Sequence, residues 1–377
     1  MSLSLSDRSL VNLGCEVFCV QISREGNYVA AGLGDGTIKV LSLLDGAVLY
    51  TLHPPNKSDI ALPTTCIRWR PPTSSTATKH ILLSGHADGN VYHWHVTSSQ
   101  LLHTINEQDN QVYALDYNRD GSMFATAGKD LTIRVYDEQT KTLLVSLKRG
   151  IGRSLFGHTN RIFSLKFSPI DPSIIYSCGW DNNLITWDLR LGSALRSVHG
   201  PHACGDALQV SGETGHLLTG SWRHDEQLQL WTSNGELIKT IDVDCDQSIG
   251  VSSSVDSHCL VYGCCFMRNS SVIAAGGSGN NIVRLINIEN GQFLGTFHFK
   301  SAVYSVDANA DDVLVIGTGD GTVRILHSLA ADQSTVTRST VRPQSALESA
   351  RKESNVIDSP GGVRWNKVMA RPILNKN

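Results

Sequence analysis

Little in this sequence sits at a compositional extreme. Its 377 residues carry 32 Lys and Arg against 35 Asp and Glu, a formal charge of -3. The chain therefore lacks the one-sided charge expected of a nucleic-acid or anionic-membrane binder. Met1 to Asp7 have neither the basic start nor the apolar block of a secretory signal. The longest apolar stretch, Cys259 to Met267, is interrupted by Gly263, far short of the roughly 20 residues a spanning helix needs. These absences predict a soluble intracellular protein, cytoplasmic in the first instance with a nuclear or a ciliary or cytoskeletal place as alternatives, and with neither nucleic acid nor membrane among its partners.

Metal and disulfide signals are missing as well. Nine Cys, an odd number, occur without any Cys-x-x-Cys and without a His pair at zinc-finger spacing. Free, mostly buried thiols in a reducing compartment are expected, with no metal and no cofactor. Sustained helical phase is scarce too; with 33 Gly and 11 Pro, strands and turns are expected throughout.

What is present is a repeat. Gly34 to Leu41, Lys129 to Tyr136 and Gly319 to Leu326 each read as a tight turn feeding an alternating strand. Counting six residues on from the turn acid pairs Asp35 with Leu41, Asp88 with Trp94, Asp130 with Tyr136, Asp181 with Trp187, Asp225 with Trp231 and Asp320 with Leu326. Asn280 replaces the acid in a seventh copy, six before Ile286. Successive anchors lie 53, 42, 51, 44, 55 and 40 residues apart, near the ~40 to 45 residues of a four-stranded propeller blade. The last unit lacks an outer strand after Leu326, and Ser9 to Leu13 has the pattern of one standing alone. The expected fold is all-β, a seven-bladed propeller closed by its N-terminal strand, which removes open sheet edges.

These residues resemble the WD40 repeat family over about Ser9 to His327. Unit four carries the pattern most fully, with Gly157-His158, Ser177, Asp181 and Trp187-Asp188. The resemblance implies a buried hydrogen-bonded network of His158, Ser177, Asp181 and Trp187. It implies partial counterparts at Ser84, Asp88 and Trp94, and at Thr126, Asp130 and Tyr136. Units one, six and seven have Ala31, Gly276 and Ile316 where the hydroxyl belongs. The expected limits are a segment 1–8, a propeller over 9–327 and a disordered tail over 328–377. The blades fall near 15–54, 63–106, 110–148, 158–199, 203–243, 258–298, and 300–327 with 9–13.

Ser177, His158 and Asp181 are also the residue types of a hydrolytic triad. Their chain order, the apolar strand around Ser177 and the lack of Gly-x-Ser-x-Gly argue for architecture instead. Gly32 to Gly36 and Gly276 to Gly279 are followed by strand pattern rather than a helix, which makes them hairpin turns and not phosphate cradles. His93 and His95, with His86 nearby, lack a third ligand and read as packing or exposed histidines. Trp222 to Glu226 is either an irregular surface turn or a partner-contacting loop. Trp187-Asp188-Leu189-Arg190 matches a motif by which WD40 substrate receptors engage cullin-RING ubiquitin ligases, and gives the alternative function.

From Ser328 to Asn377 there are eight Lys and Arg against four Asp and Glu, a net of +4 that leaves the rest of the chain at -3 minus 4, or -7. Trp365, Ile373 and Leu374 fall in a basic, apolar stretch over 361–374 that reads as a docking segment. A propeller without a catalytic constellation is expected to be a noncatalytic platform, a monomeric ring within a hetero-complex of cytoskeletal, ciliary or similar kind. The family placement of loops selects Glu16, Thr65, Asn110, Arg161, Asp206 and Lys300 as contacts for protein partners, and the Trp-Asp-x-Arg motif adds Arg190.

Overall fold

The computed structural model describes residues 5–55, 62–72, 79–150, 156–246, 251–252 and 258–328. Seven four-stranded antiparallel sheets form the blades of a β-propeller; six run in chain order from an inner to an outer strand, and the seventh takes its outer strand from the N-terminus. The inner strands are Val17–Ile22, Thr64–Trp69, Val112–Tyr117, Ile162–Phe167, Leu208–Val210, Leu260–Met267 and Val303–Ala308. The docking segment, with Trp365, Ile373 and Leu374, lies outside the described residues.

Burial follows position in the blade. The second strand of blade 3, Met123–Gly128, is almost wholly buried, whereas its outer strand, Leu143–Leu147, is mostly exposed. Second strands pack against neighbours on both faces, so they read as nearly continuous apolar and small residues. Seven apolar clusters each join two adjacent blades. One mixes Val17, Val20 and Leu33 of blade 1 with Val313, Val323 and Ile325 of blade 7, so the core runs unbroken round the ring. Full burial of one such side chain contributes about 1.5–3 kcal/mol.

Closure rests on the N-terminal strand, Leu5–Asn12, which pairs antiparallel with Thr322–Ser328 from Leu5 opposite Ser328 to Asn12 opposite Thr322. The paired segment is longer than the expected Ser9 to Leu13. Leu5 to Arg8 join it because Asp7 accepts both Arg324 Nε (2.5 Å) and Nη2 (2.7 Å). A short ribbon, Cys245–Asp246 with Val251–Ser252, is an addition to the blade pattern. Six of the nine cysteines are buried, and all are free.

Candidate protein-binding site

In six blades the inner strand slips register within its first residues, as between Val112 and Ala114 or between Ile162 and Ser164. Such a bulge leaves one side chain unpaired and turns it out of the sheet. The bulged residues are Phe18, Thr65, Tyr113, Phe163, Tyr262 and Tyr304, and all line one central cavity of about 420 Å3 at the mouth where the inner strands begin. Blade 5 places Asp206 at the equivalent point. Glycine at the end of the second strand allows the geometry: a Cβ on Gly128 would lie 1.8 Å from the Gln111 carbonyl oxygen.

The rings form two arcs. Tyr113 stacks on Phe163 (4.7 Å between centroids), Phe163 meets Trp180 (5.2 Å), and Trp180 stacks on His202 (6.2 Å). Opposite them, Phe18 stacks on Tyr304 (5.5 Å), Tyr304 meets Tyr262 (5.4 Å), and Tyr262 meets Trp222 (6.4 Å). The Arg161 guanidinium lies over the Trp180 ring at 5.1 Å.

Below the rings the channel is closed by charge. Arg68 Nη2 reaches Asp206 Oδ2 at 2.6 Å and Arg68 Nε approaches Asp116 Oδ1 at 3.4 Å. Lys166 Nζ and Ser164 Oγ donate to Asp206 Oδ1 at 2.7 and 2.8 Å. Burial pushes the Asp206 carboxyl up, but Arg68 and Lys166 outweigh it and hold the acid well below the usual range. Asp307 has weaker compensation, and burial lifts it to about 6. Channel side chains also cap the amides of the next blade's inner edge. Gln21 Oε1 accepts Trp69 N (2.6 Å), Asp116 Oδ2 accepts Phe167 N (2.8 Å), and Asp307 Oδ2 accepts Ile22 N (2.7 Å). An inner strand has no sheet partner on its channel side, so those amides need such acceptors.

The polar networks inside the blades differ from one another. In blade 4 His158 Nδ1 donates to Asp181 Oδ2 (2.9 Å), Nε2 bonds Ser177 Oγ (2.7 Å), and Trp187 Nε1 donates to the same oxygen (2.8 Å). Burial raises Asp181, yet the hydrogen bond and charge of His158 with the Thr159 amide hold it below its ordinary value. Ser177 is 0% exposed and His158 1%, so this serine, histidine and acid form a closed strut that no substrate reaches.

Elsewhere the expected sets need correction. In blade 2 Trp94 and Ser84 find their histidine in His86, at the end of the second strand, and among the described residues Asp88 accepts hydrogen bonds from Asn90 in its own turn. Burial pulls the His86 ring down to about 4. In blade 3 Glu107 takes the histidine's place. It accepts Thr126 Oγ1 (2.5 Å), Tyr136 OH (2.9 Å) and Asn110 Nδ2 (2.7 Å), while Asp130 pairs with Arg134. A carboxylate accepts several donors at once, which is what a site facing a threonine, a phenol and an amide requires. In blade 5 Trp231 bonds Thr219, and Asp225 stays exposed on its turn.

The residues selected for partner contact separate accordingly. Thr65 and Asp206 line the cavity, Arg161 covers the collar, and Glu16 and Lys300 are exposed. Asn110 is 4% exposed and bound to Glu107, so it is an internal strut rather than a surface contact. Arg190 is exposed, but its guanidinium is gripped by Asp188 at 2.7 and 3.0 Å. That hydrogen bonding holds Asp188 at about 2. His86 and His93 are both buried; His86 belongs to the blade 2 network, and His93 Nε2 lies 3.3 Å from Glu138.

The aromatic collar was missed in the sequence, although its signal is there. Val17-Phe18-Cys19, Val112-Tyr113-Ala114, Ile162-Phe163-Ser164, Val261-Tyr262-Gly263 and Val303-Tyr304-Ser305 all break strand alternation in the same way.

The sequence profile of the WD domain, G-beta repeat matches residues 9–42, 99–137, 151–188 and 291–326. Three of these begin on or just before the outer strand of one blade and end on the third strand of the next, so the sequence repeat and the blade are out of phase. Similar proteins include nuclear distribution protein PAC1 of Candida tropicalis, 33% identical over 36% of this chain and 26% of the relative. Anaphase-promoting complex subunit cdc20 of Dictyostelium discoideum is 25% identical over 57% of this chain and 40% of the relative. The WD repeat-containing protein 91 homolog of the same organism is 24% identical over 60% and 32%. The chain thus spans well under half the length of these relatives. Among the described residues no helix is long and apolar enough to cross a membrane.

Proposed function

We propose, from the premise that this chain is a WD40-repeat β-propeller, that it is a noncatalytic platform whose collared mouth holds another protein within an intracellular assembly. The observation that carries this reading is the collar itself: bulges in five blades turn Phe18, Tyr113, Phe163, Tyr262 and Tyr304 toward one opening. Phe18 and Trp222 are 37% and 39% exposed. Aromatic side chains clustered in a concave, partly dry site are the usual anchors of protein interfaces. The similarity to proteins named for nuclear distribution and for the anaphase-promoting complex supports an assembly role. In this reading segment 361–374, with Trp365, Ile373 and Leu374, is a second attachment that raises the local concentration of the partner.

The test is affinity purification of the full chain with Phe163→Ala and Tyr304→Ala. Partners recovered with the natural chain should be lost, while thermal unfolding stays within a few degrees. Undiminished recovery by both variants would overturn the reading.

A further inference from the structure

A second cavity, of about 330 Å3, opens at the other end of the channel, where the inner strands of blades 1, 3, 4 and 5 finish. Arg68 and Asp206 face the collared mouth, whereas Asp116 and Lys166 line this lower cavity, so the salt-bridged layer they form separates the two. The lower cavity is therefore a basin with a closed inner end. Its volume suits a small molecule.

Its charge runs against that of the ring. Three cations line it, Arg24, Arg119 and Lys166, against one acid, Asp116, in a chain whose first 327 residues carry a net of -7. Asp116 is already engaged, since its Oδ2 accepts Phe167 N (2.8 Å) and its Oδ1 lies 3.4 Å from Arg68 Nε. Lys166 is engaged as well, its ammonium donating to Asp206 at 2.7 Å. Two guanidiniums are left. Arg24 is exposed and has no partner among the described residues, and Arg119 gives Nη1 to the Pro169 carbonyl at 3.3 Å. The Gln209 side-chain amide, also without a partner among the described residues, adds a neutral donor to the lining. Glu25, Asp120 and Glu213, the acids nearest in sequence, do not line the basin, and Asp120 is held by Ser122 in its own turn. A concave site lined by one sign of charge concentrates counter-ions.

The placement of the two arginines selects the ligand. Each stands six residues past the bulge of its blade, Arg24 from Phe18 and Arg119 from Tyr113, so they are rooted two blades apart with Pro71 at the equivalent point between them. Blade 6 has Arg268 at that point, but it is tied to Asp312 at 2.8 Å and does not line the basin. A guanidinium pairs in its plane with two oxygens of one phosphoryl group. An anion that satisfies both arginines in this way needs a phosphoryl group for each.

We propose that the lower basin binds a small anion carrying two or more phosphoryl groups, one on Arg24 and one on Arg119, with Gln209 as a further donor. The site is independent of the partner-binding reading of the opposite mouth. A soluble polyphosphate compound and an inositol-lipid headgroup share this chemistry, and the experiment separates them.

Pyrophosphate and tripolyphosphate are titrated calorimetrically into the full chain beside orthophosphate and sulfate, at about 0.15 M salt to screen exposed charges. Phosphatidylcholine vesicles with and without phosphatidylinositol bisphosphate are tested by cosedimentation. At least one of the two polyphosphates should bind tenfold or more tightly than orthophosphate and sulfate. Arg24→Gln and Arg119→Gln, both at exposed turns, should each lower that affinity at least tenfold. Arg268→Gln, the same charge change at the equivalent point of blade 6, should leave it within twofold. Binding of the free polyphosphates assigns a soluble ligand; sedimentation with the inositol-lipid vesicles alone, lost in both basin variants, assigns a headgroup. No binding in either arm, orthophosphate binding as tightly as the polyphosphates, unchanged binding by either basin variant, or an equal loss with Arg268→Gln each overturns the proposal.

Discussion

Arg68 and Asp206, 138 residues apart in the chain, meet at 2.6 Å across the centre of the ring. The pair joins blades 2 and 5 directly and turns an open channel into a cup. Asp206→Asn takes from buried Arg68 and Lys166 the carboxylate they share and leaves Asp116 as the remaining partner of Arg68, a loss on the order of 3 kcal/mol. Arg68→Met should cost a similar amount, and the double variant less than the sum, because the residues share one interaction. Urea unfolding followed by circular dichroism measures all three; additive losses would show the bridge to be energetically idle.

Glu107 makes a second prediction. Glu107→Ala strands the Thr126 hydroxyl, the Tyr136 phenol and the Asn110 amide, all in the interior of blade 3. At roughly 1–3 kcal/mol per orphaned group, with partial relaxation, a destabilisation of about 3 kcal/mol is expected. Asp225→Ala, at an exposed turn, should stay within about 0.5 kcal/mol. Equal effects of the two in thermal or chemical unfolding would contradict the assignment of Glu107 as the blade's central acceptor.

Asp307 gives a pH dependence opposite in sign to that of most structural carboxylates. Its folded-state value, lifted to about 6 by burial, lies above the ordinary 3.8. The folded protein thus holds more protons between about pH 4 and 6, and its stability falls as pH rises through that window. Above the window the ionised acid costs on the order of 1–3 kcal/mol, moderated by Arg68 and Lys166. Asp307→Asn should therefore raise the melting temperature at pH 7.5, with the gain shrinking toward pH 4. A gain that grows on acidification would refute this.

Closure by the first strand is testable by removing residues 1–12. The deletion uncovers the edge of Thr322–Ser328 and breaks the bidentate contact of Arg324 with Asp7. Open edges pair with other chains, so size-exclusion chromatography should show association and the melting temperature should fall. A monomer with unchanged melting would mean that the ring holds without its clasp.

Much of the architecture was legible because it is local. Turn acids such as Asp35 and Asp130 recur with an alternating strand behind them, and hairpin pairing fixes each blade without reference to the others. The blade 4 network was legible for the same reason, its four residues standing where the repeat puts them. Glu107 was not, since any acceptor of suitable reach fills the histidine's place and the loop carrying it varies in length. Asn110 looked like a rim residue because a loop position says nothing about which way a side chain folds.

The sequence by itself determined the number of blades, the order of strands and the lone strand left to complete the seventh, because these follow from periodicity along the chain. Only the tertiary structure decided how the ring's centre is furnished. Bringing Arg68 to Asp206, or Phe18 to Tyr304, requires seven sheets to close on one axis, and that geometry places side chains from distant repeats within bonding distance. Residues that never neighbour one another in the chain thus form the floor and walls of the mouth.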